Sequence, residues 1–171
     1  TLRKIYRGRR YLRRGAVLLA SREPPPQDCH RLSIVTPSLR ILHCLRAPIG
    51  GLFRHVHDLV KGQAELGLEV GVICDSETGG EPAARALARL ADFCTLGVAR
   101  VPMARQIRPS DLKSYREVKR LAARLEVNVL HGHGAKGGAY ARLAARGLKR
   151  KRKSVGAFYT PHGGSLHHAP T

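Results

Sequence analysis

Two histidines, a lysine and four glycines fall within eight residues at His131-Gly132-His133-Gly134-Ala135-Lys136-Gly137-Gly138. Such a segment is poor material for a packed core and reads as a site at the end of a strand. Two more segments share its character: Gly50-Gly51, and Thr160-Pro161-His162-Gly163-Gly164 followed by His167-His168. A glycine pair ahead of a helix lets a ligand approach backbone N–H groups, and the helix N-terminus favours an anion; a plain tight turn is the equal alternative. Gly132, Gly134 and Gly137 spell GxGxxG, the spacing of a dinucleotide-binding turn. No Asp or Glu follows Glu126 to hold a ribose, although the basic cluster Lys149 to Lys153 suits NADP, so an NADP-binding Rossmann fragment stands as an alternative. A Walker loop is excluded because Gly137, not Ser or Thr, follows Lys136. His131 and His133 share one side of a strand and could join His162 on a metal, but no nearby carboxylate completes that set, so no metal is expected. His131 alone also reads as a structural histidine.

These segments need elements to hold them. Ile41 to Leu45 is a short apolar strand broken by Ala47-Pro48-Ile49-Gly50-Gly51. Leu52, Phe53, Val56, Leu59, Val60 and Ala64 recur at helical spacing, and Gly67 ends that helix. The pattern repeats: strand 69–74, helix 82–92, strand 98–101, a basic loop 102–109, a helix with Ser110 as N-cap, strand 128–131, a helix from Gly137 to Gly147, and strand 154–160. Alternating β and α segments predict a doubly wound parallel sheet, α/β and Rossmann-like, with strand order 3-2-1-4-5. Ligands of such sheets bind beyond the carboxyl ends of the strands where the order reverses, between strands one and four. Strands one, four and five would therefore bring the three unusual segments along one edge.

The 171 residues suffice for one domain with a core, and hydrophobic residues make up 43%. No apolar run approaches the ~20 residues of a membrane-spanning helix. The net charge of +19 is the outlier. Residues 1–40 carry ten Lys/Arg against Glu23 and Asp28, include Pro24-Pro25-Pro26, and read as a poorly ordered basic arm. So basic a chain favours a polyanionic neighbour, whether anionic lipid, nucleic acid or phosphorylated substrate. The aromatic fraction is only 5%, with no RRM, KH or zinc-finger signature, yet a basic nucleic-acid-binding protein stays as the rival class. Cys29, Cys44, Cys74 and Cys94 are widely spaced without a CxxC pair, as expected of free cysteines in a reducing cytoplasm.

The run from Ile41-Leu-His-Cys-Leu through Gly50-Gly-Leu-Phe-Arg-His-Val-His-Asp-Leu59, then Val70 to Ser76, Val129-Leu-His-Gly-His-Gly-Ala-Lys-Gly-Gly138 and Tyr159-Thr-Pro-His-Gly-Gly164 resembles the N-terminal, acceptor-side domain of GT-B retaining glycosyltransferases of family 4. The resemblance covers about residues 41–169. It implies transfer of a sugar from a nucleotide sugar, a co-substrate rather than a cofactor, to a glycan or lipid-linked acceptor in cell-surface polysaccharide synthesis. It implies that Gly50 and Gly51 face the donor phosphates and that His133 approaches the transferred sugar. His162 and Gly163 match the family's strand-five His-Gly, on the acceptor side. Lys136 is expected to touch a phosphate of a lipid-linked acceptor; Gly134-Ala135-Lys136 stand where some members have Glu-Pro. The expected setting is cytoplasmic, at the inner face of an anionic membrane. Members of the family carry a second, donor-binding Rossmann domain. The chain is expected to be an incomplete domain over 41–171, truncated after the fifth strand, and to need a separate C-terminal donor domain for activity.

Overall fold

A computed structural model describes residues 39–150 and 155–162. Most of the basic arm, residues 151–154, Gly163 and the pair His167-His168 lie outside the described residues. Five strands alternate with four helices: β1 (Arg40–Leu45), α1 (Gly50–Glu65), β2 (Glu69–Asp75), α2 (Gly80–Ala91), β3 (Gly97–Val101), α3 (Asp111–Arg124), β4 (Val129–His133), α4 (Gly134–Lys149) and β5 (Gly156–Thr160). All pairings are parallel and the order is β3-β2-β1-β4-β5. Both the Rossmann-like α/β class and the strand order are as the alternation predicts.

The central strands are apolar and buried because helices cover both faces. One core unites Leu42, Cys44 and Leu130 with Val118 and Ala122 of α3 and with Tyr140, Ala141, Ala144 and Leu148 of α4. The other unites Leu45, Val70 and Val72 with Phe53, Val56 and Val60 of α1 and Leu87 and Leu90 of α2. Winding thus reverses between β1 and β4, and a crevice opens at their carboxyl ends. The cysteines described, Cys44, Cys74 and Cys94, are free and buried. Among the described residues no helix is long and apolar enough to cross a membrane.

Two boundaries depart from expectation, each for a packing reason, and one expected capping bond is not made. The histidine-glycine segment is not a loop: β4 continues to His133 and α4 starts at Gly134. Gly134 makes the change at once by taking φ +66°, a conformation glycine adopts without a Cβ clash. A Cβ on Gly132 would meet the backbone of Gly137 and Gly138, on Gly137 the carbonyl of Cys44, and on Gly138 the ring of Tyr159. These glycines let the first turns of α4 lie directly on the sheet. Gly147 does not end α4, which runs to Lys149; a Cβ there would come within 3.0 Å of Lys119 Nζ and Tyr115 Oη, so this glycine sets the approach of α3. Ser110 occupies the N-cap position of α3 but makes no capping bond. The Asp111 carboxylate instead accepts from the Arg108 N–H at 3.1 Å.

Candidate functional site

Strand register assembles the site. His43 lies opposite His131, and His133 opposite both Leu45 and Thr160. Strand alternation puts His43, His131 and His133 on the face covered by α1. Their rings lie tilted against one another, with centroids 5.2 Å apart for His43 and His131, 5.2 Å for His43 and His133, and 4.1 Å for His131 and His133. Helix α1 supplies Gln63 from its last turns and His55 from its first. Past β5, His162 completes the group, held at φ +50° in the left-handed region that a non-glycine residue rarely occupies.

A hydrogen-bonded line runs through these rings. Gln63 Oε1 is 2.8 Å from His43 Nε2, His43 Nδ1 is 3.0 Å from His133 Nε2, and His133 Nδ1 is 3.1 Å from His162 Nε2. An amide oxygen only accepts, so His43 donates from Nε2 and accepts at Nδ1. His133 must then donate from Nε2, which leaves its Nδ1 as the acceptor for His162. One amide therefore sets the tautomer of every ring to the surface. His131 pairs with Thr160 Oγ1 at 2.9 Å.

The two buried rings, His43 and His133, are held neutral. His43 is fully buried and His133 is 1% exposed. Burial pushes His43 down to about 4, opposed by its bond to Gln63 and reinforced by His131 and His55. Burial, then the neighbouring imidazoles, pushes His133 down to about 2. His131 and His162 are lowered for the same reasons, burial first. Four imidazoles within contact distance cannot all charge at once.

A cleft of about 260 Å³ lies beside His133, lined by Arg46, Ala47, Leu52, Arg105, Gly134, Ala135 and Lys136. Helices α1 and α4 begin at this edge. Neither has a side-chain cap or an acid in its first turn, whereas α2 and α3 carry Glu81 and Asp111 there. Gly50, at φ +73°, and Gly51 open onto space that no protein atom within 4 Å of an added Cβ would fill. Two uncapped helix ends and two arginines form a surface suited to phosphate.

The structure joins His133 to His162 but gives Lys136 another occupation. Its ammonium donates to the Ala104 carbonyl, to the Gln106 carbonyl at 2.7 Å and to Asp111 at 2.9 Å. Tyr140 Oη donates to the same carboxylate at 2.8 Å. Burial would raise Asp111, but bonds from Lys136, the Arg108 N–H and Tyr140 outweigh it and hold the carboxyl below its usual range. All three ammonium protons are engaged in fastening the 102–110 loop, so contact with an acceptor phosphate would require that clamp to loosen. Gly163 is outside the described residues. Sequence reasoning did not single out His43, His55, Gln63, Arg46 or Arg105. One signal was present: an imidazole inside the apolar strand Ile41 to Leu45 must find a buried polar partner.

The sequence matches the family model of glycosyltransferase family 4 over residues 49–171. The chain belongs to glycosyltransferase family 4. No curated protein matches it significantly. Among solved structures, a glycosyltransferase from Rickettsia africae ESF-5 is similar at 18% identity and a TM-score of 0.57, over 78% of this chain and 32% of that one. MurG of Acinetobacter baumannii is similar at 15% identity and a TM-score of 0.53, over 70% of this chain and 34% of that one. At these identities the likeness is one of fold, a Rossmann-like domain as found in GT-B glycosyltransferases. The chain spans about a third of the length of these two structures.

Proposed function

We propose that this domain is the acceptor-side half of a retaining glycosyltransferase that moves a sugar from a nucleotide sugar to a glycan or lipid-linked acceptor of the cell surface. The observation that carries the reading is the convergence of His133, His162, two arginines and two uncapped helix N-termini on one edge of the sheet. Breaking the bond between the sugar's anomeric carbon and the diphosphate leaves negative charge on the departing oxygen. Backbone N–H groups at Gly50 and Gly51, with Arg46 and Arg105, offset that charge without reorganising. His133 is neutral and fixed in tautomer. Its part is to accept a hydrogen bond from a sugar hydroxyl at Nδ1, in place of the one from His162, rather than to act as an acid, since burial and the neighbouring imidazoles hold the ring neutral. His162 and Gly163 border the acceptor, and Lys136 reaches an acceptor phosphate only when its clamp opens.

No resident cofactor enters this reading; the nucleotide sugar is a co-substrate. The donor half is a second domain, in the same chain or a separate one. The basic surface suits work at the inner face of an anionic membrane, with a lipid-linked acceptor.

The test assays transfer from a panel of nucleotide sugars to glycan and lipid-linked acceptors. It compares the 171 residues alone with the same residues extended by a family C-terminal domain. Transfer by the extended protein alone is expected. Transfer by the short chain would refute the two-half account. Silence from a folded hybrid on validated substrates would favour the nucleic-acid-binding alternative.

A further inference from the structure

The outer end of the imidazole line suits another kind of ligand. His55 on α1, His133 at the end of β4 and His162 past β5 each offer one ring nitrogen, and the three atoms lie within 4.8 Å of one another. Ring nitrogens bound tetrahedrally to zinc at ~2.0–2.1 Å stand about 3.3 Å apart. His133 Nδ1 and His162 Nε2, at 3.1 Å, are already near that spacing. The His55 ring is exposed and edge-on to that of His162, with centroids 4.9 Å apart. We infer that His55, His133 and His162 form a binding site for a late first-row divalent cation, of the Zn2+ and Ni2+ class, with a coordination position left open to solvent.

The support beneath His133 fits this use. Its Nε2 donates to His43 Nδ1, and His43 donates onward to Gln63, so the Nδ1 lone pair is the one turned outward. A metal-bound histidine is ordinarily fixed in this way, by a partner on its other ring nitrogen. His162 gives up its donated proton by shifting tautomer, freeing Nε2 to ligate. Its left-handed backbone is the local distortion that carries the ring over His133. A set of imidazoles without carboxylates selects zinc, nickel or copper over magnesium, calcium or manganese. A second trio, His43, His131 and His133, is as tightly grouped. Both nitrogens of His43 are already engaged in a fully buried setting, and an uncompensated divalent charge there is disfavoured. The sequence offered no carboxylate to complete a His131, His133 and His162 set; the fold supplies His55 in its place. The inference does not depend on sugar transfer, since binding is read on the protein itself.

The experiment is calorimetric titration of the metal-free chain with ZnCl2, NiCl2 and MgCl2, with bound Co2+ absorption reporting geometry. One equivalent of Zn2+ and of Ni2+ is expected to bind, and Mg2+ is not. His55→Ala and His162→Ala each weaken binding by at least about tenfold. His57→Ala, and the double variant His167→Ala with His168→Ala, leave it unchanged. Two results would overturn the inference: no Zn2+ binding tighter than about 100 µM, or binding that survives His55→Ala and His162→Ala but is lost in either control.

Discussion

His43 and His133 tie the stability of the domain to pH. Each is neutral when folded and shifted below its unfolded value, so the unfolded chain takes up protons first as pH falls. Above the ordinary histidine value both states are neutral and nothing is gained or lost. Below it, stability falls by up to about 1.4 kcal/mol per pH unit for each such group. For His43 the loss continues to about pH 4 and totals of order 3 kcal/mol. Urea unfolding at a series of pH values from 7.5 to 4.5 is expected to show a falling midpoint below about pH 6.5; a flat midpoint would mean the rings are not buried neutral. The Gln63 amide is the second lever. Gln63→Leu strands His43 Nε2 and should cost about 1–2 kcal/mol. Nitrogen chemical shifts of His43 and His133 would then show mixed tautomers where the native protein shows one.

Glycine has two uses among these elements, and one measurement separates them. Around Gly50 and Gly51 an added Cβ meets open space, while at Gly137 and Gly138 it meets Cys44 and Tyr159. Gly138→Ala should therefore push α4 from the sheet and cost about 1–3 kcal/mol in denaturant unfolding. Gly62→Ala, in the last turn of α1 with nothing near its Cβ, should stabilise by about 0.5–1 kcal/mol. The clamp from α4 to the 102–110 loop is tested by Lys136→Met. Its loss should cost about 2–3 kcal/mol and speed amide hydrogen exchange in that loop; unchanged exchange would show that the loop does not depend on the lysine. What the sequence made legible follows from the same physics. The alternation of apolar strands and helical spacings gave the strand order, and the period of two put His131 and His133 on one side. Whether a glycine leaves room for a ligand or for a neighbouring backbone depends on what packs there, so the residue pattern alone reads the first turn of α4 as a loop. Lys136 meets Asp111 across 25 residues of chain, a pairing that no local pattern encodes.

At the scale of the molecule, a doubly wound sheet brings β1, β4 and β5 together so that residues 43, 133 and 162 meet although the chain separates them widely. His162 was placed at this edge from topology alone. His43 was not, because its role depends on the register that sets β1 against β4. The surrounding basic charge is equally suited to a diphosphate, a lipid headgroup or nucleic acid, so charge does not decide the function and the site must. The most direct measurement is sugar transfer by the chain extended with a family C-terminal domain, comparing native His133 with His133→Ala after both are shown to be folded. The account predicts transfer by the native protein and a loss of about a hundredfold or more in kcat for the variant. A folded His133→Ala protein that transfers sugar at the native rate would contradict it.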